Sequence, residues 1–168
     1  MEPSRRRFGI PAGSKGGELT GPNPTYRVKP GAKIHLLAYH NGLPLAAAIS
    51  AANTADIAAL EPLVRAIPAV RSRRGPRRRH PDKLHADKAY DSAQARRFLA
   101  DRGITPRIAR RGVESRDRLG AHRWTIERTI SWLGHYRPLN RRYEHTPRAF
   151  TAFTAIACTL ICYRRLTK

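Results

Sequence analysis

The sequence predicts an α/β fold, in which a sheet carries helices packed on it, and three observations predict it. Two apolar runs flank Asn41-Gly42, a pair that signals a tight hairpin. Between Lys83 and Ala109 a strand-like run, a helical run and a second strand-like run alternate, the pattern of a parallel crossover. Two later stretches, Asp117 to about His135 and Pro147 to Leu166, have apolar residues at helical spacing.

Taken in order, residues 1 to 32 hold Gly13, Gly16, Gly17, Gly21, Pro22, Pro24, Pro30 and Gly31. That density predicts a flexible, extended or disordered segment, with the folded part beginning near Lys33 and running to 168. Lys33 to Tyr39 and Leu43 to Ser50 are expected as two antiparallel strands. From Thr54 to Ile67, Ile57, Leu60, Leu63, Val64 and Ile67 recur at helical spacing, with Asn53 or Thr54 available as a cap. Asp56 falls at this helix start, where capping explains it. Arg71 to Arg79 is a basic loop, either solvated or touching phosphate. Lys83 to Asp87 reads as a short strand. Asp91-Ser92-Ala93-Gln94 resembles a capping box with Asp91 as the cap, opening a helix to about Arg102 that Gly103 ends. Ile104 to Ala109 is the second strand of the crossover. The apolar run Ala149 to Cys162 is shorter than the roughly 20 residues a bilayer needs, so it is expected as a buried helix and no membrane partner is expected.

The chain has 168 residues and is 40% hydrophobic, which suits one domain with a modest core. Its 33 Lys+Arg against 12 Asp+Glu give a net charge of +21. So strong a self-repulsion is explained by a polyanionic partner, with nucleic acid the default. The cations are mostly arginine, whose planar fork suits phosphate, and such binding weakens steeply with salt. Cys158 and Cys162, the only two cysteines, sit one helical turn apart without the further ligands of a zinc site. They read as packed thiols, and a reducing cytoplasm fits. Met1 to Arg7 is charged and leads into Gly and Pro rather than an apolar run, so no secretory signal is expected.

Acids are scarce, which makes two of them informative. Asp87 ends a predicted strand at its carboxyl end, where open α/β sheets place ligands, with His85, Lys88 and Tyr90 around it. Its structural alternative is an Asx turn or helix cap, a role Asp91 is expected to fill. Glu127 lies in a helix whose Trp124, Ile130 and Leu133 are expected to face the sheet, so the carboxylate would be partly buried and in need of a partner. The alternative is an exposed i, i+4 ion pair with Arg123. Trp124, Trp132, Tyr136 and Tyr143 have faces that bases can stack on, but the helical spacing of the two tryptophans favours core packing and no site is assigned to them.

The ordered set Gly21-Pro22-Asn23-Pro24, Lys29 to Leu37 (KPGAKIHLL), Leu84 to Asp91 (LHADKAYD), Gly103 to Arg111 (GITPRIARR) and His122 to Thr129 (HRWTIERT) resembles bacterial insertion-sequence transposases of the DDE class, over roughly residues 15 to 166. The resemblance implies a ribonuclease-H-like mixed sheet flanked by helices. In it three carboxylates hold two Mg²⁺ or Mn²⁺ ions for in-line attack on a DNA phosphodiester. By position Asp87 matches the second carboxylate and Glu127 the third, as catalytic and metal-binding residues. Arg123 matches an arginine of the third signature, and with Lys88 and Arg128 it is expected to contact DNA. Gly120 and Gly134 stand where that signature sometimes carries tyrosine or lysine, and Ala89 replaces a common glycine.

The first aspartate of the class has no counterpart in a strand-like run, because only Glu2 and Glu18 precede Lys33. The sequence therefore looks like the carboxy-terminal part of a transposase, a ribonuclease-H-like sheet lacking its first strand. It is expected to be inactive alone and to be completed by an upstream segment, from a frameshifted element or before an element decayed. The implied partners are double-stranded DNA at element ends and targets, with room for a homodimer, and the implied place is the cytoplasm, on the nucleoid. The alternatives are a non-catalytic basic DNA-binding fragment and a basic RNA-binding protein of ribosomal type.

Overall fold

Glycine at position 42 lets the chain reverse with φ at +89°, in the left-handed region that other residues avoid. The turn closes through Gly42 N donating to Tyr39 O at 2.8 Å and Leu43 N donating to Asn41 Oδ1 at 3.2 Å. The computed structural model describes residues 17–23, 30–70, 75–110, 120–140 and 142–167. On either side of the turn run β1 (Ala32–Ala38) and β2 (Pro44–Ala51), antiparallel as predicted, in a register from Ala32↔Ala51 to Leu37↔Ala46 with a bulge at Leu37/Ala38.

Because side chains alternate along a strand, the hairpin serves two cores. Leu37 meets a cluster of Leu60, Val64, Ile67, Leu84, Ala95, Leu99, Ile104 and Ile108. Ile34, Leu36 and Ile49 meet a second cluster of Leu133, Leu139, Phe150, Ala157 and Ile161.

The helix predicted over Thr54 to Ile67 divides into a 3-10 turn, Asp56–Ala59, and α1, Leu60–Arg65. Pro62 explains the division: without an N–H it fits only the first turn of an α-helix, which therefore starts just ahead of it. Neither Asn53 nor Thr54 caps the turn, whose N-cap is Ala55 with no side-chain bond. Asp56 does not cap either; it pairs with Lys33 Nζ at 2.7 Å, and the same ammonium donates to Thr54 O at 2.6 Å.

The predicted crossover is present. Strands β3 (Lys83–Ala86) and β4 (Thr105–Ile108) pair in parallel, Lys83↔Thr105 to Ala86↔Ile108, with α2 (Ala93–Ala100) between them. The cap of α2 is Ser92, whose Oγ accepts from Ala95 N at 3.0 Å, and not Asp91. Asp91 instead holds Arg96 at 2.7 Å, and Arg96 also donates to Ile108 O at 3.0 Å, joining α2 to β4. Gly103 ends the helix with φ at +68°.

The expected single mixed sheet is corrected to two: among the described residues the hairpin and the parallel pair each form a separate two-stranded sheet. Helix α1 packs on β1, β2 and α2, so the two sheets are joined through side chains rather than by a backbone ladder.

The last third forms α3 (Gly120–Gly134), the short α4 (Arg137–Asn140) and α5 (Pro147–Leu166). Thr146 caps α5, accepting from Ala149 N, and Pro147 occupies its first position. At 20 residues α5 is longer than its apolar run, and by length and composition it would reach across a bilayer. The length argument made from Ala149 to Cys162 therefore does not hold for the helix. Nor is it buried all round: Phe150, Thr154, Ala157 and Ile161 are buried, while Phe153, Ile156, Leu160 and Tyr163 are exposed.

Part of the segment expected to be flexible is docked. Gly21 and Gly31 exchange backbone bonds of 3.0 and 2.9 Å. Arg142, only 1% exposed, donates to Glu18 O at 2.9 Å and Glu144 O at 2.9 Å while lying over the Phe150 ring. A side chain at Gly17 would meet His145 O at 2.5 Å, so glycine is needed for this approach.

Candidate functional site

Asp87 follows directly on β3, at the carboxyl end of a strand whose Leu84 is buried in the first core. Its backbone is extended and its Oδ1 accepts from Lys88 N at 2.7 Å, capping the 3-10 turn Lys88–Tyr90. The cap alternative set aside for Asp87 is therefore present, on the turn ahead of α2, and the Asp87 side chain is exposed. Lys88 is exposed on the same turn.

Behind Asp87, Tyr90 packs against the first core. Burial, and then the negative charges of Asp56 and Asp87, push its hydroxyl pKa up to about 12. The Lys33–Asp56 pair lies beneath, and His35, 5% exposed, bonds Ser50 Oγ through Nε2 at 2.7 Å. Burial lowers the His35 pKa, and Asp56 opposes that shift. Lys33, Asp56 and Tyr90 form a support under the Asp87 turn. Sequence reasoning missed this support because the partners lie far apart in the chain.

Glu127 and Arg128 lie on α3. The face of this helix that meets the hairpin runs through Thr129 and Leu133, which are 0% and 1% exposed. Thr129 Oγ1 lies 2.7 Å from Gly42 O and 3.0 Å from Thr125 O, seating the turn on the helix. Glu127, two residues and about 200° of helix from Thr129, is therefore exposed rather than partly buried. Trp124 is also not on the inner face; it is 58% exposed. The side chain of Arg123 lies outside the described residues.

Arg128 Nη2 donates to Asn41 O at 2.7 Å, and its guanidinium lies 4.5 Å from the Trp124 ring and 5.2 Å from that of Trp132. Arg165, from α5, lies 4.1 Å over Trp132. The expected core packing of the tryptophans holds only for Trp132, which borders the second core. The i, i+4 spacing of Trp124, Arg128 and Trp132 is the sequence signal for this stack.

Asp87 follows the parallel pair and Glu127 lies on the helix beside the hairpin, and both side chains are exposed. Among the described residues no group of three His, Cys, Asp or Glu side chains is placed to hold a metal ion. Carboxylate oxygens are the donor type that Mg²⁺ or Mn²⁺ takes, and two of them alone do not form a two-ion cage. The cysteines are half-buried thiols as expected: burial raises Cys158 to about 11 and also raises Cys162, whose Sγ lies 3.5 Å from Pro44 O.

A family profile described as transposase DDE domain matches residues 11–162. Over 165 residues, the chain is 46% identical to a Burkholderia cepacia protein named "Putative transposase for insertion sequence element IS402", covering 98% of this chain and 78% of that protein. No solved structure matches. With a match across most of its length and a relative at this identity, the chain belongs to the transposase DDE domain family.

Proposed function

We propose that this chain carries catalytic residues of a DDE transposase acting on the ends of an insertion element, with a ribonuclease-H-like arrangement as its working fold. The match over residues 11–162 carries the reading. Asp87 and Glu127 are two of the acids around which divalent-metal-dependent cleavage and strand transfer take place, and Mg²⁺ or Mn²⁺ is the cofactor. Duplex DNA is the partner, held in part by Arg123, Lys88 and Arg128, and the site of action is the bacterial nucleoid. The strand-end position of Asp87 and the net charge of +21 support this.

Among the described residues no third acid completes a metal-holding group, so on this reading the site takes a further acid before it cuts. The same observation favours a second reading for these 168 residues by themselves, a basic DNA-binding module without catalysis. The experiment is to incubate the chain with element-end duplex in Mg²⁺ or Mn²⁺ and follow binding and nicking together. The expected result is salt-sensitive binding without nicks. Nicking by the chain alone would remove the need for a further acid, and absence of binding would overturn both readings.

A further inference from the structure

We propose that Arg128 and Arg165, both stacked on the indole of Trp132 beside the hairpin turn, form a phosphate fork that grips the DNA backbone, an inference that rests on the reading that the chain binds DNA. The two cations come from different helices, α3 and α5, and meet at one ring: their guanidinium carbons lie 5.2 and 4.1 Å from it. The Arg128 guanidinium also lies 4.5 Å from the Trp124 ring.

The arrangement borders an open cleft of about 300 Å³ lined by Asn41, Leu43, Arg128, Trp132, Arg165 and Leu166. Nothing in it is acidic. None of the ion pairs among the described residues uses either guanidinium. Arg128 is further fixed by its bond to Asn41 O, and its Nε is enclosed without an acceptor.

A guanidinium held over an indole has its plane restrained, and because the Nε and Nη2 side of Arg128 faces the hairpin turn, its Nη1 and the exposed Arg165 are what meet phosphate oxygens. Stacking also removes freedom that a solvated arginine would have to give up on binding. The occupied ring argues against a base as the ligand, since a base would have to displace a cation to stack there. A phosphodiester needs only the free edges. The hairpin turn completes the site by position: Gly42 lets Arg128 approach, because a Cβ there would lie 3.1 Å from Arg128 Nη2.

The test uses the whole chain and a fluorescent duplex of arbitrary sequence, with affinity measured across a salt series for the unsubstituted protein and for Arg165→Gln, Arg165→Lys and Arg164→Gln. Arg164 and Arg165 are both exposed in the last turn of α5, so these variants keep the core intact. The fork predicts that Arg165→Gln weakens binding several-fold and lowers the slope of log K against log salt by about 1. It predicts that Arg165→Lys, which keeps the charge but loses the plane, weakens binding nearly as much, and that Arg164→Gln does far less. Unchanged binding by Arg165→Lys, or equal losses from Arg164→Gln and Arg165→Gln, would show diffuse charge and overturn the fork. If inorganic phosphate alone perturbs tryptophan fluorescence as strongly per phosphate as the duplex does, the fork takes free phosphate and its assignment to DNA fails. A protein that binds no duplex at all would instead bring down the underlying reading.

Discussion

Thr129 sits where helix and hairpin meet, with no exposed surface, and its hydroxyl is shared between the carbonyls of Gly42 and Thr125. Thr129→Val keeps the shape but leaves Gly42 O without that donor, which is expected to cost about 1–2 kcal/mol in urea unfolding, while Thr129→Ser should cost less. Tyr90 makes a prediction of a different kind. Its folded pKa of about 12 is above the ordinary value near 10, so the folded state holds the proton more tightly than the unfolded one. The stabilisation is therefore complete below about pH 10 and is lost as pH rises toward 12, a change on the order of 2 kcal/mol. Tyr90→Phe should flatten that part of the stability profile, and an unchanged alkaline slope would contradict the assignment. Neither residue's role was legible in the sequence, because each depends on partners distant along the chain. Asp87 shows the reverse limit: its strand-end position was legible, but the helix cap was given to Asp91 alone, whereas Asp87 caps the turn after β3 and Ser92 caps α2.

The elements legible in the sequence were those set by local chemistry. Asn41-Gly42 specified the hairpin, Gly103 ended α2, and Pro147 opened α5, each through a conformational preference of the residue itself, while the Thr146 cap was not foreseen. What failed was the rotation of helices about their axes and the joining of sheets. On α3 the pattern of Trp124, Ile130 and Leu133 suggested one inner face, but Thr129, a polar residue, supplies the contact and turns Glu127 outward. Gly42→Ala tests the seating directly. It would impose φ of +89° on a residue with a Cβ and bring that atom to 3.0 Å from Thr129 Oγ1, so a loss of about 1–3 kcal/mol is expected in thermal or urea unfolding. On α5 the raised pKa values of Cys158 and Cys162 predict slow alkylation near pH 8 in the native protein and fast alkylation after unfolding. Equal rates in the two states would contradict the packed placement of these thiols.

At the scale of the whole molecule, two cores share one hairpin, with the unit of the parallel pair built around the first and the unit of α3, α4 and α5 around the second. The charge of +21 has a reason if both units lie along DNA. The family was legible in the order of short motifs, and the 46% identity to the IS402 relative agrees with that order. What the sequence did not reveal was that, among the described residues, the strands form two separate sheets. The most direct measurement is strand cleavage by a chimera in which this chain replaces the matching region of the IS402 relative, assayed on element-end DNA in Mg²⁺ beside its Asp87→Ala and Glu127→Ala variants. The account predicts that the unsubstituted chimera nicks the DNA and that each variant binds it equally well but cuts at least about a hundredfold more slowly. Full cleavage by both variants would contradict it.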